Sequence, residues 1–265
     1  MHRVRLVVFV FLLIALPCEM ADAQTEPNTL PDAPQPQSQS QNQNNADAIV
    51  GFRDLPKNFL IDQKAIWTSP LKINESNAII PVVLVVGTAA AITADHQVMS
   101  ETVSHDPKFN SNALTVSNGM LGALIVAPAA FFGAGKAKHD DHATETGLLA
   151  AEAVGDSLAV SEVIKIIARR ERPDVNDAKG KFFQPGVGFD SSFASNHSFI
   201  AWSAASAIAT EYRGAWTAIL VYGLAGGVSA SRVLGRQHFP SDVFVGSACG
   251  WLIGHYVVRR HKHTY

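Results

Sequence analysis

Apolar residues recur with the period of an α-helix over most of this chain, and this pattern constrains the fold more than any other feature. From Ile49 onward, Gly, Pro, Asn and Ser separate the apolar segments, and the two-residue alternation typical of strands is scarce. The sequence therefore predicts an all-α fold in which six apolar helices follow a short amphipathic one. The predicted segments are 54–67, 78–94, 116–133, 144–170, 197–212, 215–232 and 241–259.

The first 23 residues have the composition of an export signal. A basic start at residues 2–5 precedes a wholly apolar run at 6–16, and Ala21 and Ala23 frame a small-x-small cleavage site. The apolar run is shorter than the roughly 20 residues that cross a bilayer. We therefore predict a cleaved signal peptide over residues 1–23 and not an uncleaved anchor.

Residues 24–48 are rich in Pro, Gln, Asn and Ser, with no large apolar residue after Leu30. Such a segment buries too little apolar surface to offset its ordering entropy, so we predict a disordered tether. The remainder, residues 49–265, is predicted to form one helical domain.

Charge and cysteine content exclude several classes of function. The chain has 21 Lys and Arg against 23 Asp and Glu, so it lacks the basic field that holds a nucleic acid. Of its two cysteines, Cys18 would leave with the signal peptide, and Cys249 lies in an apolar run. The sequence therefore predicts neither a disulfide framework nor a cysteine-rich metal site.

Two short blocks combine residues that suit an anion. Lys165 and Arg172 are seven residues apart, which is two helical turns and places both cations on one face. Ser195, Asn196 and His197 open the next helix, where free backbone N–H groups and the positive dipole end attract negative charge. Each block alone also fits an ordinary helix end, a basic C-terminus in the first case and an N-cap in the second.

A third block adds a candidate nucleophile. Arg232 ends one helix, and His238 and Asp242, four residues apart, lead into the next. A histidine whose one ring nitrogen is held by a carboxylate keeps the other nitrogen available for attack. The three blocks in this order are much more specific than any one of them.

Together the blocks resemble the type-2 phosphatidic acid phosphatase and vanadium haloperoxidase superfamily, whose pattern is K-x6-R-P, then P-S-G-H, then S-R-x5-H-x3-D. The first and third blocks match at every fixed position, whereas the second has Ala194 in place of Pro and Asn196 in place of Gly. Asn tolerates the left-handed backbone that Gly permits, so we expect activity to be retained. The resemblance covers residues 144–259 and implies that superfamily's six-helix bundle.

The resemblance also implies an activity, which is hydrolysis of a phosphomonoester or diphosphate through a phosphohistidine, without a metal or other cofactor. By position, His238 would be the nucleophile, Asp242 its orienting partner, and His197 the general acid. The residues implied to hold the phosphoryl oxygens are Lys165, Arg172, Ser195, Asn196 and Arg232.

The substrate class stays open between a phosphorylated lipid, such as phosphatidate or an isoprenoid diphosphate, and a small phosphoester. Two other functions remain, a vanadate-dependent haloperoxidase and an inactive envelope protein that only binds a phospholipid. The presence of both His197 and His238 favours an enzyme, because anion binding alone needs no nucleophile. The sequence does not predict an oligomeric state.

Location is the second open question. In membrane members of the superfamily the three blocks lie on the outer side, whereas an export signal followed by six spans would place them in the cytoplasm. Glu145, Glu152 and Asp156 also share one face of the longest predicted helix, which lipid would not tolerate. We therefore predict a soluble or peripheral protein of the periplasm or cell envelope, with an integral inner-membrane bundle as the alternative.

Two further segments carry residue types that bind metals. They are the loop 136–142, with Lys, His and Asp, and the tail 259–263, with Arg, His and Lys. Solvated or headgroup-facing charged segments are the more frequent explanation of such patterns. The sequence analysis therefore predicts no metal site.

Overall fold

The computed structural model describes residues 51–262, and within that range it contains helices and turns but no strand. The predicted signal peptide (1–23) and tether (24–48) lie outside the described residues. The all-α prediction is confirmed, with six long helices after a shorter one. The helices are α1 (Leu55–Thr68), α2 (Ile79–Gln97, continued by a π-helical turn, Val98–Thr102), α3 (Pro107–Lys138), α4 (Asp141–Ala168), α5 (Asn196–Glu211), α6 (Ala215–Leu234) and α7 (Pro240–His261).

Helix α3 differs most from its prediction, because it begins at Pro107 and not near residue 116. The Asp106 side chain accepts a hydrogen bond from the Lys108 backbone N–H at 3.0 Å, and Pro107 occupies the first helical position. An Asp cap followed by Pro is a strong start signal. The polar residues after Pro107 interrupt the apolar periodicity, and this is why the pattern alone places the start too late.

Helices α5 and α7 cross at very short distance through three glycines of α7. A Cβ atom on Gly246, Gly250 or Gly254 would lie 2.8, 2.3 and 2.3 Å, respectively, from a backbone oxygen of α5 or its cap. The same contact brings the first turn of α7 to the start of α5, where the Ser195 N–H donates to the Asp242 carbonyl at 3.2 Å. Close packing of these two helices thus aligns the second and third sequence blocks.

The acidic stripe of α4 faces the interior of the bundle. Glu145, Glu152 and Asp156 are all buried, and the Gln63 side chain of α1 donates to Asp156 Oδ1 at 2.8 Å. The stripe therefore does not expose charge to lipid. The acidic stripe is therefore no argument against a membrane location.

Within residues 51–262, three helical segments are long and apolar enough to cross a membrane, judged by length and composition: Ile79–Thr102, Pro107–Lys138 and Ala215–Leu234. Only 22%, 22% and 33% of their most apolar windows are buried within the bundle. Contiguous exposed apolar surface of this kind is typical of contact with lipid. These helices favour membrane association, in agreement with the integral alternative. Large apolar side chains on their outer faces include Val82, Val86, Val126, Trp216, Ile219 and Leu220.

The α5–α7 contact gives a stability prediction. We expect Gly250→Ala to destabilise the protein by about 1–3 kcal/mol, because the added methyl group would overlap the Phe199 carbonyl oxygen. Gly155→Ala is the matched control, since no atom lies within 4 Å of a Cβ at that position of α4. Thermal unfolding of the detergent-solubilised variants measures both effects, and equal melting temperatures would contradict the close-packing argument.

Candidate active site

The three sequence blocks meet at one end of the bundle. Lys165 lies in the last turn of α4, Ser195 caps α5, and Arg232 lies in the last turn of α6. Arg172 follows α4 in a loop, and His238 lies in the short connection from α6 to α7. The imidazole of His197 is close enough to four residues of these blocks for each of them to lower its pKa: Lys165, Arg172, Arg232 and His238.

Arg172 joins two of the loops that form this site. Its Nε and Nη2 atoms donate to Asp190 Oδ1 at 3.1 and 2.9 Å. Its Nη1 atom donates to the backbone and side-chain oxygens of Gln237, next to His238, at 3.2 and 3.0 Å. The guanidinium is therefore held beside His238.

Lys165 and Arg232 are two buried cations with few partners. They are 6% and 8% exposed, and the Lys165 ammonium donates to the Phe189 carbonyl at 3.3 Å. The buried Nε of Arg232 makes no hydrogen bond to any residue in the described range. Burying a charge is costly unless it is paired, so this arrangement suits an anionic ligand.

The start of α5 contributes its helix terminus. Ser195 is fully buried, and its hydroxyl oxygen accepts from the Ser198 N–H at 3.4 Å as the N-cap. Asn196 is the first helical residue and has no positive φ angle, so the left-handed backbone invoked above is not used. Its side-chain amide instead donates to Glu162 of α4.

His238 is 2% exposed and is oriented by a backbone oxygen. Its Nδ1 lies 2.7 Å from the Ser192 carbonyl and 3.7 Å from Asp242 Oδ2. A carbonyl oxygen only accepts, so this contact assigns the proton to Nδ1 and leaves Nε2 with a free electron pair. The Ser192 carbonyl thus makes the contact that the sequence argument assigned to Asp242.

Asp242 is fully buried and organises the loop around His238. Its Oδ1 accepts from Arg170 Nη1 at 2.6 Å, and its Oδ2 accepts from the Phe239 N–H at 2.7 Å and from the Ser192 hydroxyl. The carboxylate therefore holds both the residue after His238 and the residue that orients it.

Arg170 is the residue that the sequence reasoning missed. Its Nη2 donates to Asp95 Oδ2 at 2.7 Å and its Nε to the Gly180 carbonyl at 3.1 Å. The guanidinium lies over the rings of Phe182 and Phe239, at 4.6 and 4.0 Å from their centroids. One signal could have found the pair, because Asp95 is a carboxylate at the end of an apolar segment and needs a cation when buried.

Burial is the main cause of the pKa shifts of His197 and His238. Both residues lie outside the three helical segments that are apolar enough to cross a membrane. Burial lowers the pKa of His238, as do Arg172 and Arg232, while Asp242 partly opposes this effect. Burial lowers the pKa of His197 to about 3, and the nearby Arg232, His238, Lys165 and Arg172 add smaller effects in the same direction. His197 lies at the opening of the site, with its Nε2 3.2 Å from Asn118 Oδ1.

Comparison with known proteins agrees with these three blocks. Residues 146–264 match the model of the PAP2 superfamily. A similar solved structure is the transmembrane PAP2-type phosphatidylglycerolphosphate phosphatase from Bacillus subtilis, with 22% identity and a TM-score of 0.46 over 78% of this chain and 94% of the other. No curated protein matches the chain significantly.

The Arg170 contacts give a second prediction. We expect Arg170→Lys to lower kcat of the phosphatase reaction proposed below by at least about tenfold with little change in KM, because a single ammonium cannot hold Asp95, Asp242 and Gly180 together. Arg169→Lys is the matched control, since Arg169 is exposed.

Steady-state kinetics and a melting curve for each variant distinguish a positioning role of Arg170 in catalysis from a purely structural role. A purely structural role would lower the melting temperature and leave kcat per folded molecule unchanged. A wild-type kcat in folded Arg170→Lys protein would contradict a positioning role.

Proposed function

We propose that this protein is a membrane-associated phosphatase of the cell envelope that hydrolyses a lipid phosphate or diphosphate through a phosphohistidine. The observation that carries the proposal is the buried His238, with a free Nε2, beside the cations Lys165, Arg172 and Arg232. The match of residues 146–264 to the model of the PAP2 superfamily supports the phosphatase class.

The first chemical step is attack of His238 Nε2 on phosphorus, which breaks the bond to the leaving oxygen. The three cations, with the N–H groups at the start of α5 and the Ser195 and Asn196 side chains beside them, stabilise the charge on the phosphoryl oxygens. The Nδ1 proton donated to Ser192 O lets the ring carry positive charge while it is phosphorylated. Water then attacks the phosphohistidine and releases inorganic phosphate.

We assign His197 two roles, the general acid in the first step and the general base in the second. Its low pKa arises from burial and from the same cations that would hold the phosphate. A bound phosphate dianion offsets those charges and raises the pKa of His197, so the ring gains a proton when substrate is present. His197 then protonates the leaving oxygen and later accepts a proton from the attacking water.

An apolar groove supports a lipid substrate. It encloses about 1050 Å³ between α2, α6 and α7, and it begins at Val233 and Pro240, next to Arg232 and near His238. It extends to Ile79 and Trp251. A hydrocarbon tail of the substrate fills such a groove while the phosphate lies among the cations. Two of the three apolar helices, α2 and α6, line this groove, and this supports entry of the substrate from a bilayer.

The phosphohistidine mechanism predicts that His238→Ala lowers kcat by at least about a thousandfold, since the nucleophile is lost. His105→Ala is the matched control because His105 is exposed and far along the chain from the site. The measurement is phosphate release by the full chain in detergent with a chelator present. Unchanged hydrolysis by His238→Ala protein would overturn the mechanism.

Vanadate distinguishes the remaining functions in the same assay. A phosphatase of this kind is inhibited by vanadate, as an analogue of phosphate. Peroxide-dependent halide oxidation with vanadate would instead identify a haloperoxidase. Saturable binding of a lipid phosphate without turnover would identify an inactive binding protein.

The groove predicts substrate preference. We expect kcat/KM for a lipid diphosphate in mixed micelles to exceed that for a small aryl phosphate by at least about a hundredfold, because each buried methylene contributes about 0.8 kcal/mol. Ala230→Trp, which narrows the groove at an exposed position, should raise KM for the lipid only. Val126→Trp, exposed on α3 outside the groove, is the control.

A location test accompanies this comparison. Helices long and apolar enough to span a membrane predict that the protein stays in the membrane pellet after a high-pH wash and needs detergent for release. A wash-soluble protein that prefers the aryl phosphate would instead support the soluble periplasmic enzyme.

A further inference from the structure

A second polar cluster lies away from the candidate active site. It joins Asp62 of α1, Glu152 of α4 and His261, the last residue of α7. Glu152 is about 20 Å from Lys165 along the axis of α4, given the 1.5 Å rise per residue. The cluster therefore belongs to neither the phosphate site nor the apolar groove.

The donor atoms of this cluster have metal-site spacing. His261 Nε2 lies 2.8 Å from Asp62 Oδ2 and 3.7 Å from Glu152 Oε1, and one donor atom from each of the three residues lies within 4.8 Å of the others. Ligand atoms around a tetrahedral Zn²⁺ are about 3.3 Å apart, since each bond is near 2.0–2.1 Å. The observed separations lie on either side of this value.

A second observation points to a ligand in the same place. Glu152 is 5% exposed, and neither of its carboxylate oxygens makes a hydrogen bond. Asp62 Oδ1 and Asp156 Oδ2 are likewise buried without a hydrogen bond. Glu152 and Asp156 are four residues apart, so both lie on one face of α4. The unsatisfied oxygens thus face a common space.

Protein cations account for little of this negative charge. Arg260 Nε is 3.4 Å from Asp62 Oδ1, but its side chain is 44% exposed. The Asn58 side chain also lies near Glu152, but an amide carries no net charge. A protonated His261 would donate through Nε2 to Asp62 only. Buried carboxylates are stable when they are paired or when they coordinate a metal.

We propose that Asp62, Glu152 and His261 bind a Zn²⁺ ion, with Asp156 as the nearest further carboxylate. One imidazole nitrogen with carboxylate oxygens is a ligand set that zinc accepts, whereas Mg²⁺ and Ca²⁺ prefer oxygen alone. The ion ties α1 and the end of α7 to the middle of α4. We assign the ion no part in phosphate hydrolysis. This proposal departs from the sequence analysis, which predicted no metal site.

The test uses the full chain, without an affinity tag, in detergent after dialysis against a chelator. Calorimetric titration with Zn²⁺ should show one ion bound per chain, and Zn²⁺ should raise the melting temperature. Glu152→Gln and His261→Ala should each weaken binding by at least about tenfold and remove the thermal shift. Glu75→Gln and His105→Ala, both exposed, are the matched controls.

The stability of Glu152→Gln also distinguishes a loss of zinc binding from simple misfolding. Without Zn²⁺ this variant should be at least as stable as the wild type, because it removes an unpaired buried charge. No saturable Zn²⁺ binding by the wild-type chain, or equal binding by the wild type, Glu152→Gln and His261→Ala, would overturn the proposal. Because hydrolysis is measured with a chelator, loss of the zinc site and loss of activity are separate outcomes.

Discussion

The buried guanidinium of Arg170 is the contact on which the candidate site depends. It binds Asp95 at the end of α2 and Asp242 at the start of α7, and it lies over two phenylalanine rings. Two carboxylates share this one cation, so loss of Arg170 would leave two buried carboxylates without their ion-pair partner. The connection after α4 and the ends of α2 and α7 are thereby fixed to one another before any substrate binds.

The influence of this ion pair reaches His238 through Asp242. That carboxylate accepts from the Phe239 N–H and from the Ser192 hydroxyl, and the Ser192 carbonyl in turn accepts from His238 Nδ1. Asp242 therefore acts mainly by shaping the loop that carries His238. A pattern of His and Asp at a spacing of four does not distinguish this indirect role from a direct hydrogen bond, since both need the same two residues.

The helices and the three blocks could be predicted because both depend on local spacing. Apolar periodicity gives the six long helices, and two helical turns place Lys165 and Arg172 together. The pair of Arg170 and Asp95 could not be predicted, because its members are 75 residues apart. The same holds for Asp62 and His261, which are 199 residues apart. The charged face of α4 suggested exposure to water, whereas packing against α1 and α7 buries it.

Helix α4 contributes to two clusters of opposite charge, one rich in cations and one rich in carboxylates. At its C-terminal end, Lys165 joins cations that lack enough acceptors, and near its middle Glu152 joins carboxylates that lack enough donors. The two clusters cannot neutralise each other, because about 20 Å of helix separates them and screening further weakens any attraction at that distance. Each cluster is therefore completed by its own ligand, an anion at one end and a cation at the other.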